Sequence, residues 1–78
     1  MTAGDLVRLK RGMGRIPLLQ KKDFYAANNG VVTRVNSSSL LIVLAVEFSQ
    51  ENSYDSCALV LTEKGHVGWA YVHDFDGT

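Results

Sequence analysis

The sequence predicts one mainly β domain over residues 1–78, a five-stranded small barrel with a long first excursion loop. Three observations carry that reading. Apolar and β-branched residues come in short runs of a strand's length. Clusters of glycine, asparagine and serine separate those runs. Glu63-Lys64-Gly65 has the form of a three-residue hairpin loop whose glycine takes a positive φ.

Taken in order, Gly4-Asp5 is a turn signal, and Leu6 to Lys10 then alternates, with Val7 and Leu9 on one face and Leu6, Arg8 and Lys10 on the other. This is a half-buried first strand. Residues 11–29 show no clean period, because Gly12 and Gly14 interrupt it and Pro17 removes a backbone donor. They read as the excursion loop, with a one- or two-turn helix from Pro17 to about Asn29-Gly30 as the alternative. Ile16, Leu18, Leu19, Phe24 and Tyr25 give the excursion enough apolar area to pack over a mouth of the barrel. Val31 to Val35 is β-branched at four of its five positions and reads as the second strand.

After the Asn36-Ser37-Ser38-Ser39 turn, Leu40 to Phe48 forms the third strand. Strict alternation places Leu40, Ile42, Leu44, Val46 and Phe48 on one face and Leu41, Val43, Ala45 and Glu47 on the other. Both faces are apolar as far as Ala45, so the second face needs a cover, either the excursion or another subunit. Leu41, Val43 and Ala45 are accordingly the expected self-association face. Ser49 to Asp55 is a polar connection. Cys57 to Thr62 and His66 to Val72 are the strands on either side of the hairpin loop, and a polar tail ends the chain.

Composition narrows the function classes. The longest apolar run, Leu40 to Val46, is seven residues, against about 20 for a membrane helix, so no membrane span is expected. Cys57 is the one cysteine and sits among alternating apolar residues, which suits a buried thiol in a reducing compartment and a cytoplasmic location. Net charge is zero, yet it is unevenly distributed. Residues 1–39 carry Arg8, Lys10, Arg11, Arg15, Lys21, Lys22 and Arg34 against Asp5 and Asp23. Residues 40–78 carry Lys64 against Glu47, Glu51, Asp55, Glu63, Asp74 and Asp76. Either the halves neutralise one another in the folded barrel, or the basic half faces an anionic partner.

Gly4-Asp5-Leu6-Val7-Arg8 followed by Gly30-Val31-Val32 resembles the "G-D-x-V … G-x-V" opening of SH3-like small barrels, including KOW-type modules of ribosomal and transcription-elongation proteins. Gly65-His66-Val67-Gly68-Trp69-Ala70 resembles the "G-x-x-G-W" ending of small SH3-like proteins of phages. The resemblance covers nearly the whole chain and rests on short turn signals, so it implies a fold and specifies little chemistry. Peptide-binding SH3 domains carry an acidic excursion; Arg15, Lys21 and Lys22 stand in this one, which argues against a proline-rich ligand. His73-Asp74-Phe75-Asp76 is shorter and more acidic than the final strand such barrels add.

No pattern in the chain calls for catalysis or a cofactor. Gly12-Met13-Gly14 begins like a dinucleotide fingerprint, but Pro17 occupies the third glycine position. His66, His73, Asp74 and Asp76 lack the strand parity a metal site needs. The expectation is therefore a non-catalytic module that acts through a protein partner or a second copy of itself, as a homo-oligomer. The alternative is a nucleic-acid accessory module contacting phosphates through Arg8, Lys10, Arg11, Arg15, Lys21, Lys22 and Arg34, with Trp69 and Tyr71 as an aromatic platform. Trp69 and Tyr71 alternate with Gly68 and Ala70, and their larger volume puts them on the inner face as core.

Overall fold

A computed structural model of the chain describes residues 1–51 and 55–77. Seven strands occur among them: β1 (Leu6–Leu9), β2 (Ile16–Leu19), β3 (Val31–Val35), β4 (Leu41–Glu47), β5 (Cys57–Thr62), β6 (Val67–Tyr71) and β7 (Phe75–Gly77). One turn of 3-10 helix, Val72–Asp74, joins β6 to β7. All strand pairs are antiparallel, in the order β3-β2-β6-β5-β4-β1-β7, and the sheet curls into a half-barrel. The all-β class holds, with seven strands rather than five.

The two additional strands come from segments without a strand period. β2 lies inside the expected excursion, at the point where a helix was the alternative. Proline is tolerated there because β2 meets β6 only at Leu19 opposite Trp69, so that edge of the strand is outside the ladder at Pro17. Residues 20–30 form turns, with the Asn29 side chain bonded to Lys21 N–H and to the Lys21 and Asp23 carbonyls. β7 arises from the polar tail and pairs with β1, where Phe75, opposite Leu9, is 5 % exposed. The edges β3 and β7 both send side chains into the core, Val35 and Phe75, without pairing to each other among the described residues. Of the polar connection at Ser49–Asp55, residues 52–54 lie outside the described residues; Ser49 N–H donates to the Ser56 hydroxyl at its base.

The core is Val7, Leu9, Leu18, Val35, Leu41, Val43, Ala58, Val60, Ala70 and Phe75. β5 and β6 close on the expected hairpin. Gly65 has φ +88°, its N–H donates to the Thr62 carbonyl at 3.0 Å, and Thr62 N–H donates to the His66 carbonyl at 2.8 Å.

β4 departs from strict alternation. Val43 is opposite Val60 and Ala45 is opposite Leu59, so Leu44 is an extra residue, a β-bulge that reverses the parity of the rest of the strand. Leu41 and Val43 face the core, and beyond the bulge Val46 packs against it as well. Leu41, Val43 and Ala45 are therefore not an external face: Leu41 and Val43 are fully buried and Ala45 is half-buried. Ile42 and Leu44 are the apolar residues of β4 that reach the surface.

Candidate functional site

Residues directly opposite one another in adjacent strands share a face of the sheet. Leu6 is opposite Ile42, Ile42 opposite Leu61, and Leu61 opposite Val67, so one row of aliphatic side chains crosses β1, β4, β5 and β6 on the outer face. Leu6 is 43 % exposed, Ile42 39 % and Val67 40 %, with the bulged Leu44 beside them at 41 %. The next row, Ala45, Leu59, Trp69 and Leu19, is half-buried and equally free of charge.

Farther along, this face is covered. Cys57 lies between Glu47 and Tyr71 in the register and is 5 % exposed. The 20–30 turns supply the cover: Lys22 Nζ binds Glu47 Oε1 at 2.6 Å, and the Phe24 ring meets Tyr71 edge-on at 4.3 Å between centroids. Tyr71 in turn stacks on His73 at 5.2 Å. The excursion thus covers one end of the second apolar face and leaves the Leu6-Ile42-Val67 end exposed.

Trp69 and Tyr71 stand on the outer face, not in the core. Gly68 and Ala70 are the buried partners in the alternation. The reason is the approach of β2: a Cβ at Gly68 would lie 2.6 Å from Leu18 Cβ, so only glycine fits inward there. A shallow apolar groove of about 190 Å³ runs beside Trp69 and Tyr71, lined also by Pro17, Leu19, Phe24 and Asp74. Tyr71 also lines a second groove with Lys22, Asp23, Phe24, Tyr25 and Asp55. Its phenol is pushed up to about 12, chiefly by burial, then by its hydrogen bond with Tyr25 and the charges of Asp55 and Asp74.

The basic residues do not gather around these rings. Arg8 is opposite Asp76, Lys10 N–H donates to the Asp74 carbonyl at 2.9 Å, and Lys22 is ion-paired with Glu47. Of these, Lys22–Glu47 is an ion pair, Arg8 and Asp76 stand opposite one another in the register, and the Lys10 bond is backbone to backbone while its charge acts on the Asp74 carboxyl. Arg15 and Lys21 are exposed, apart from one another in the chain's turns. Arg8 and Arg11 line one groove together with Ser37, and Arg34 lines another with Lys64 and His66. Lys64 and His66 were not among the sequence candidates. The register could have found them, since Thr62 opposite Leu41 puts the hairpin tip beside the 36–39 turn.

Burial raises the Cys57 thiol above its usual value; Glu47 adds to this and Lys22 opposes it. Such a thiol is held protonated. Among the described residues no group of three or more His, Cys, Asp or Glu could hold a metal ion, and no helix is long and apolar enough to cross a membrane. Compared with protein-family models, curated proteins and solved structures, the chain gives no match.

Proposed function

We propose that this chain is a non-catalytic SH3-like small barrel that works by protein contact, docking through the outer face of its sheet onto a second copy of itself. One observation carries the reading: the aliphatic row Leu6, Ile42, Leu61 and Val67, continued by Leu44, crosses four strands without a charged residue. A twofold contact brings the same patch on both partners together, and an uncharged patch does so without burying an unpaired ion. The domain is also small, with no disulfide, and domains of this size commonly gain stability from a partner subunit. The curled antiparallel sheet, the hairpin at Gly65 and the turn at Gly4 support the SH3-like assignment.

Light scattering on a size-exclusion column tests the reading. Wild-type protein is expected above the 8.6 kDa monomer mass and to approach it on dilution. Ile42→Lys, which places a charge mid-row, is expected at the monomer mass throughout. A wild-type monomer at every concentration would overturn the proposal.

A further inference from the structure

The Asn36–Ser39 turn lines two polar grooves, with Asn36, Ser38 and Ser39 in the first and Ser37 in the second. The first, about 370 Å³, is bordered by Arg34, Lys64 and His66 and by the hydroxyl-bearing Thr33, Ser38, Ser39 and Thr62. The second, about 290 Å³, is bordered by Arg8 and Arg11, with Ser37 and Asp76. Four permanent cations therefore flank one turn. Among the described residues the carboxylates lining the two grooves are Glu63 and Asp76: Glu63 Oε1 accepts from Leu40 N–H at 3.3 Å, and Asp76 is opposite Arg8.

We propose that this turn and its two grooves bind the phosphate backbone of a single nucleic-acid strand. Cations in both grooves of one turn suit a ligand whose negative charges repeat along a chain, and one small anion would engage only one groove. Phosphate oxygens take hydrogen bonds from guanidinium groups and hydroxyls together, which Arg34 and the Thr33, Ser39 and Thr62 hydroxyls supply, the Ser38 hydroxyl proton being held by Asn36. The turn is pre-set for this: Asn36 Oδ1 accepts from Ser38 N–H at 2.9 Å and from the Ser38 hydroxyl at 2.6 Å, and Asn36 N–H donates to the Ser39 hydroxyl at 3.3 Å. Among the described residues neither groove is lined by an aromatic ring, so bases find no stacking platform there and binding is independent of sequence. The surface is separate from the Leu6-Ile42-Val67 row, and the two proposals stand independently.

The test is fluorescence anisotropy with labelled oligo(dT), titrated between about 50 and 200 mM salt. Wild-type protein is expected to bind, with affinity falling as salt rises. Arg34→Gln with Lys64→Gln is expected to weaken binding at least tenfold and to reduce the salt slope by about 1.4, at about 0.7 for each cation removed. Lys21→Gln, away from both grooves, is expected to bind as wild type. Amide NMR shifts of the wild-type protein on adding oligo(dT) give a readout without mutation, and should cover both grooves, at Arg34, Ser38, Lys64 and His66 and at Arg8, Arg11 and Ser37. No binding at low salt, shifts centred elsewhere, or equal displacement of the strand by polyglutamate would overturn the proposal.

Discussion

Gly68→Ala probes the junction on which the sheet depends, where β2 turns back against β6. A Cβ at this position would stand 2.6 Å from Leu18 Cβ, 3.2 Å from the Leu18 carbonyl carbon and 3.3 Å from Leu19 O. Carbon atoms in favourable contact are about 3.5–4.0 Å apart, so β2 must retreat by roughly 1 Å. Leu18 cannot escape by rotating, because its Cβ is fixed to the backbone and the side chain is fully buried. Overpacking of this kind costs about 1–3 kcal/mol. Alanine in a strand recovers about 0.5–1 kcal/mol over glycine through the lower entropy of the unfolded chain. At the middle of both ranges the net loss is about 1.3 kcal/mol, which lowers Tm by about 5–10 °C for a domain of this size. Gly30→Ala is the control, since its Cβ would meet the end of the Gln20 side chain, at 3.0 Å from Oε1, and that flexible group can move aside. Its Tm should equal or exceed the wild-type value. Thermal unfolding by circular dichroism, at one fixed protein concentration because association raises Tm, measures both. Gly68→Ala as stable as wild type, or Gly30→Ala falling equally far, refutes the close-approach argument.

The buried and titrating groups give three further expected outcomes. Cys57 should react with a thiol reagent slowly in the native protein and rapidly in denaturant, because burial both covers the sulfur and holds it protonated; equal rates would contradict this. The Tyr71 phenol, at about 12, is favoured in its protonated form by the fold. Its contribution to stability is complete below about pH 10, the unfolded value, and is lost as pH rises through about 12. The phenolate absorbance difference between wild type and Tyr71→Phe should therefore appear near pH 12, and appearance near pH 10 would count against the burial of this ring. Burial likewise raises the Asp74 carboxyl, against the opposing charges of His73 and Lys10. The stability it contributes is greatest below the unfolded carboxylate value, about 3.9, and declines as pH rises through the raised folded value. Asp74→Asn should lose less stability than wild type in urea between acidic and neutral pH, and identical pH dependence would refute the assignment.

Much of the sheet was legible because local sequence and final structure agree. β1, β3, β5 and β6 carry alternation or β-branching that a short strand requires, and Gly65 marks the hairpin without tertiary help. β2 was not legible, since Ile16-Pro17-Leu18-Leu19 has neither a strand period nor a full set of donors and becomes a strand by pairing with β3 across the 20–30 turns and with the distant β6 at Leu19. β7 was hidden for a similar reason: Phe75 looks like a lone aromatic in an acidic tail until Leu9 stands opposite it.

The candidate surfaces show the same division. That β4 has a second apolar face was evident from composition, but which residues form it depended on the bulge at Leu44, and no sequence period reveals a bulge. Assigning Trp69 and Tyr71 inward by volume failed because the space inside β6 is set by β2, which approaches so closely that Gly68 must face it. The charge asymmetry was visible as a count. Its placement was not, because the Lys22–Glu47 ion pair and the register that sets Arg8 opposite Asp76 join segments far apart in the chain.

The most direct test of the account is a dilution series of methyl NMR spectra on the wild-type protein. Docking of the outer face onto a second copy predicts concentration-dependent shifts at Leu6, Ile42, Leu44, Leu61 and Val67, and none of comparable size at the buried Val7, Leu41, Val43 and Val60. Shifts unchanged on dilution, or confined to residues away from that row, would contradict it.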